Sequence, residues 1–136
     1  MFIAGIGALD AGHGAVVAGA SSVPALSGAD ARHLARGLAR VEEVAVSSTA
    51  SNRATTRPSV ARSIRGYAGR AVRLWRGGRW TEAVGLADPR REIYYGPGHP
   101  PLRRWVALAD VPDLDLLPRR LPGRPATLFR AGPGFA

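Results

Sequence analysis

Short apolar runs, cut by glycine, proline and arginine, set the pattern of this chain. Phe2–Ile6 and Ala15–Ala20 are apolar and bounded by glycine, which predicts buried strands or extended segments, with Val16-Val17 favouring strand in the second. Ser22 is placed to cap a helix, with Pro24 in the first turn, where a missing N–H costs nothing. That helix is expected to carry Leu26, Leu34, Leu38 and Val41 near one face. Arg32, Arg36 and Arg40 would form a solvated row on another. Val44–Ser48 reads as a strand and Ser51–Pro58 as a polar loop. Ser59 is placed to cap a second short helix with Val60, Ile64 and Tyr67 at i, i+4 and i+7.

The pattern then changes to period two. Ala71–Arg76 and Arg79–Val84 flank Gly77-Gly78, a two-residue hairpin signal. With those glycines as the loop, Arg76 faces Arg79, Trp75 faces Trp80, and Arg73 faces Glu82, giving an aromatic pair and an ion pair at opposed positions. The two tryptophans are expected to pack on the sheet, in preference to serving as a base-stacking platform. Asp88-Pro89 marks a turn, Glu92–Tyr95 a strand, Gly96–Pro101 a loop, and Arg104–Ala109 a further strand. Asp113 is expected to cap a single turn through Leu117, stopped by Pro118. Ala126–Ala131 is the last strand. The fold class is therefore α+β, of α/β-fragment type: strand–helix–strand followed by a mainly antiparallel sheet with a Gly-Gly hairpin.

At 136 residues the chain has the length of one domain at most, and 46% hydrophobic against 21% charged residues is an ordinary globular balance. The net charge of +9 invites a nucleic-acid reading. However, all 19 basic residues are arginine, spread from Arg32 to Arg130 and not gathered in one tail. A selected phosphate-binding surface has no reason to exclude lysine, so nucleic acid is not the expected partner. Without cysteine there is no disulfide, thiolate metal site or thiol nucleophile, and without lysine no Schiff base. No stretch reaches the ~20 apolar residues of a membrane span. The apolar Met1–Ala20 segment imitates a secretion signal, but it has no basic start and is interrupted by Asp10 and His13; a cytoplasmic location is expected.

Candidate chemistry is sparse. Gly5-Ile6-Gly7-Ala8-Leu9-Asp10 falls one residue short of the dinucleotide fingerprint, with too little strand before it and no room for a helix after it. His13, His33 and His99 stand far apart, which does not support zinc. Asp110, Asp113 and Asp115 lie close together, but capping and surface roles account for the last two.

The order of several weak motifs says more than any one of them. Gly19-Ala20-Ser21-Ser22-Val23-Pro24-Ala25-Leu26-Ser27-Gly28, Asn52-Arg53-Ala54, Gly66-Tyr67-Ala68-Gly69-Arg70, Trp75-Arg76-Gly77-Gly78-Arg79-Trp80, Asp110-Val111-Pro112-Asp113-Leu114 and Phe129-Arg130-Ala131-Gly132 succeed one another. Together they resemble the middle of bacterial saccharopine dehydrogenase-like NAD(P)-dependent oxidoreductases, over about Ala15 to Gly132. The resemblance implies an N-terminal dinucleotide-binding domain joined to a second α+β domain that helps form the substrate cleft. On this pattern, residues 1–28 hold the remnant of the crossing from the nucleotide domain, and 29–136 form the second, substrate-side domain. Ser21 and Ser22 become candidate cleft contacts. Asn52 and Arg53 fall in a loop where an arginine could grip a substrate carboxylate with two parallel hydrogen bonds.

The family's glycine loop has no counterpart in this chain, and Asp30 and Ala31 stand where its pattern is apolar. The expectation is a truncated member without turnover of its own. It would bind no cofactor alone, although NAD(P) is implied for the full-length family, and no catalytic residue can be assigned. Its partner would be the missing nucleotide-binding half or a second copy of itself. The alternatives are a self- or partner-associating module, motivated by unpaired sheet edges, and an arginine-rich nucleic-acid binder.

Overall fold

The computed structural model describes residues 22–50, 66 and 68–132. Those residues form an α+β fold in which six strands and two α-helices are described. An irregular turn, Ser22–Leu26, with Val23 extended, leads into α1, Ser27–Leu34. Then follow β1 (Glu43–Thr49), β2 (Ala71–Arg76), β3 (Arg79–Val84), β4 (Arg90–Gly96), β5 (His99–Leu108), α2 (Asp113–Arg120) and β6 (Ala126–Gly132). The expected strands at Phe2–Ile6 and Ala15–Ala20, the loop Ser51–Pro58 and the helix after Ser59 lie outside the described residues.

Strands β1, β6, β5 and β4 form one sheet in that order, while β2 and β3 pair only with each other. β4, β5 and β6 are antiparallel neighbours, and β1 runs parallel to β6 from Glu43↔Ala126 to Thr49↔Gly132. The hairpin forms with the expected register, Arg73↔Glu82, Trp75↔Trp80 and Arg76↔Arg79. Gly77 and Gly78 take positive φ of 56° and 75°, the backbone that a tight turn matched to strand twist requires. The tryptophan rings meet edge to face, 5.2 Å between centroids.

The core lies where the hairpin and α2 meet the sheet. Val72 and Leu74 of β2, Leu108 and Ala109, Leu114 of α2 and Phe129 of β6 form one buried cluster. Val23, Val46 and Ala83 pack against it. Each fully buried aliphatic or aromatic side chain stabilises the fold by about 1.5–3 kcal/mol.

Four local expectations are corrected. The first helix ends at Leu34 instead of running to Val41, because Gly37 takes φ of 82° and the Val41 amide donates to Pro122. Its supposed core residues Leu26, Leu34 and Leu38 are exposed, and Ser22 does not cap it: Leu26 precedes it with no side-chain cap. The Arg32, Arg36 and Arg40 row is exposed. In place of a Gly96–Pro101 loop there is a two-residue turn at Pro97-Gly98, and β5 begins at His99. Asp113 is a buried residue inside α2, and Pro118 does not stop that helix, which continues to Arg120. A proline inside a helix costs ~3 kcal/mol, and burying Leu114 and Leu117 together with Pro118 itself outweighs that. Finally, Arg73 does not pair with Glu82. Its guanidinium lies 3.1 Å from Asp115 and 4.2 Å above the Trp80 ring, because α2 packs beside β2.

Candidate functional site

Of the residues singled out by the resemblance, Ser21, Asn52 and Arg53 lie outside the described residues. Ser22 is exposed on the turn before α1. The block that contains it is nevertheless tied into the fold. Ser27 donates a 2.5 Å hydrogen bond to Asp113 Oδ2, joining the start of α1 to the start of α2 across 86 residues of sequence. Asp113 is 1% exposed, and its second oxygen, Oδ1, has no partner. Burial pushes its carboxyl above the ordinary range, and the Ser27 hydroxyl only partly offsets that.

The polar chemistry that the sequence reading missed lies on the sheet. Alternation along β5 places Arg104 on the same face as Val106 and Leu108, and all three are buried. Leu108 is the register partner of Arg130 on β6, and Ser47 of β1 is the next neighbour in that row. On the other side Glu92 is paired with Arg104, and Tyr94 with Leu102. One face therefore carries Ser47, Arg130, Arg104, Glu92 and Tyr94. The Tyr94 hydroxyl meets the Ser47 hydroxyl, although β4 and β1 are opposite edges of the sheet. The sheet must curl for that contact to form, and this face is its inside.

The charges inside the curl do not balance. Arg130 is 8% exposed and reaches one carboxylate, Asp88 at 3.4 Å, which Arg90 holds more closely at 2.8 Å. The hydrogen bond and charge of Arg90 hold Asp88 below the usual carboxylate range. Arg104 is 7% exposed and, among the described residues, makes no ion pair; its one hydrogen bond goes to the Arg103 carbonyl, 2.9 Å away. Glu92 stands opposite it but turns to the Tyr94 hydroxyl at 3.5 Å. Burial raises the Tyr94 phenol, and the Glu92 charge adds to that rise. The Nε atoms of both arginines are buried without a partner. An unpaired buried ion costs several kcal/mol. The sequence signal was present in Arg104-Trp105-Val106-Ala107-Leu108: at period two an arginine in line with two apolar residues points into the protein.

A second concavity opens at the hairpin tip. Arg40, Glu42, Trp75, Gly77, Gly78 and Arg124 line a depression of about 500 Å³, and Trp75 Nε1 donates to the Arg124 carbonyl at 2.9 Å. Arg40 and Glu42 approach to 3.9 Å, and both are well exposed, which makes this a solvated surface. No glycine-rich turn joins a strand to a helix among the described residues: Gly77-Gly78 joins two strands, and Gly123 lies between α2 and β6. These residues do not fit a dinucleotide. Among the described residues no three His, Cys, Asp or Glu side chains cluster to hold a metal ion, and no helix is long and apolar enough to cross a membrane. No model of a known protein family matches the chain, and no curated protein matches it.

Proposed function

We propose that this chain acts as the substrate-side domain of a saccharopine dehydrogenase-like oxidoreductase, lining a cleft opposite a nicotinamide-binding domain and turning over nothing by itself. One observation carries the reading: blocks that bear the resemblance, far apart in sequence, meet in space. Ser27 of the first block donates to Asp113 of the Asp110–Leu114 block. Val23, Leu114 and Phe129, from three different blocks, belong to or pack on one core. The Trp75–Trp80 block closes the hairpin whose Val72 and Leu74 complete that core. A hydride would come from the nicotinamide of the other domain, and the part of this chain is to hold and orient the substrate.

The test is a chimera in which this chain from Ser22 onward, so that Val23 and Ser27 are kept, replaces the second domain of a saccharopine dehydrogenase-like enzyme. The expected result is a folded protein that keeps cofactor-dependent turnover at a reduced rate. A chimera that folds and binds NADPH but neither binds nor converts substrate counts against the reading. In the chain alone, NADPH is expected to leave the thermal midpoint unmoved, and an upward shift would reveal a cofactor site of its own.

A second reading, a self-associating module, is favoured by one feature. β4 is an edge strand, and Ile93, Tyr95 and Trp105 are 47, 78 and 39% exposed on the β4–β5 arm.

A further inference from the structure

We propose that the inside of the curled sheet is a binding site for a small oxyanion, a carboxylate or phosphate group, held by Arg104 with Arg130 beside it. The inference rests on this face alone and does not need the oxidoreductase reading. Two arginines, 7% and 8% exposed as residues, lie on one face, and each has a buried Nε without a partner among the described residues. A guanidinium presents its donors as a planar fork, and the acceptor that fits the fork is an oxyanion. Arg130 has a shared, exposed carboxylate in Asp88; Arg104 has none among the described residues.

The protein's own candidates for that role are otherwise engaged. Glu92, opposite Arg104, is turned to Tyr94, whose hydroxyl also meets Ser47. Asp88 is taken up by Arg90 and Arg130. The groups facing the site from neighbouring strands are thus Ser47, Glu92, Tyr94 and Arg130, with Asp88 and Arg90 at its margin. A positive residue kept in a buried place without a counterion is what a site for an external anion requires: the ligand supplies the missing charge.

The experiment titrates the full chain with sodium phosphate and, separately, with sodium glutarate, against sodium chloride at equal ionic strength. Binding is read as heat and as the shift of the thermal midpoint. Saturable binding of one probe is expected, and which probe binds identifies the source of the oxyanion. Arg104→Met is expected to weaken it about 10- to 100-fold. The same substitution, made without anion, is expected to raise the midpoint, because it removes a buried charge that nothing pairs. A structural arginine would do the reverse. Glu92→Gln serves as the second variant: with an external anion as counterion the affinity rises, whereas with Glu92 as the true partner of Arg104 the midpoint falls and anion binding stays absent. Failure of both probes to bind beyond the chloride control overturns the proposal. So does an Arg104→Met variant that unfolds or keeps the full anion response.

Discussion

Asp113 shows how much a single side chain can tie together. Its Oδ2 accepts from Ser27 at 2.5 Å, its Oδ1 is unpartnered, and burial raises its proton affinity. A carboxyl whose folded pKa lies above its ordinary 3.8 binds its proton more tightly in the native state than in the unfolded one. Its contribution therefore favours the fold at acid pH and is lost as pH rises from the ordinary value through the raised one. Urea midpoints of wild type and Asp113→Asn, measured from about pH 3.5 to 7, are expected to show the wild type losing ground to the variant as pH rises. A difference that stays flat would mean that Asp113 is solvated, and one that changes in the opposite direction that the fold stabilises its charged form; either outcome overturns the expectation. Ser27→Ala removes the hydroxyl from the same pair and leaves both oxygens of the buried carboxyl without a partner; it is expected to cost about 1–3 kcal/mol in the same urea titrations.

Among the elements, glycines divide by what surrounds them. A Cβ on Gly132, at the end of β6, would come 2.1 Å from the Trp105 carbonyl oxygen and 3.0 Å from Val106 Cγ1. β5 can lie that close to β6 because this position lacks a side chain. Gly132→Ala is expected to lower stability by about 1–3 kcal/mol or more, since backbone must move. Gly28, inside α1, has open space around it and an ordinary backbone, so Gly28→Ala is expected to raise stability by about 0.5–1 kcal/mol. Denaturant midpoints of the two variants, changing in opposite directions, check both statements. If Gly132→Ala proves neutral, the β5–β6 approach is looser than described. The hairpin β2–β3 was legible in advance down to its register, because a Gly-Gly turn permits only one pairing and side chains then alternate. The Arg73 partner was not, because it comes from α2, forty-two residues on.

At the scale of the molecule, the curled sheet leaves one face inside and β4 as an open edge. If that edge and the exposed Ile93, Tyr95 and Trp105 pair with a second copy, sedimentation equilibrium will show a mass that rises with concentration from the monomer's 14.3 kDa. Ile93→Glu would then return it to the monomer value. A mass that holds at every concentration removes the self-association reading.

The sequence by itself determined what depends on near neighbours: the class of fold, the strands β1, β2, β3 and β6, the hairpin register and the solvation of Arg32, Arg36 and Arg40. Those features follow from periodicity and turn chemistry, which act over a few residues. Only the tertiary structure decided which distant segments meet. The parallel pairing of β1 with β6, the Ser27–Asp113 bond and the curl that buries Arg104 and Arg130 each join residues tens of positions apart. Period two aims Arg104 at the inner face together with Val106 and Leu108, but Arg104 becomes a buried cation without an ion pair only when the neighbouring strands close over it, and no local pattern encodes that closure.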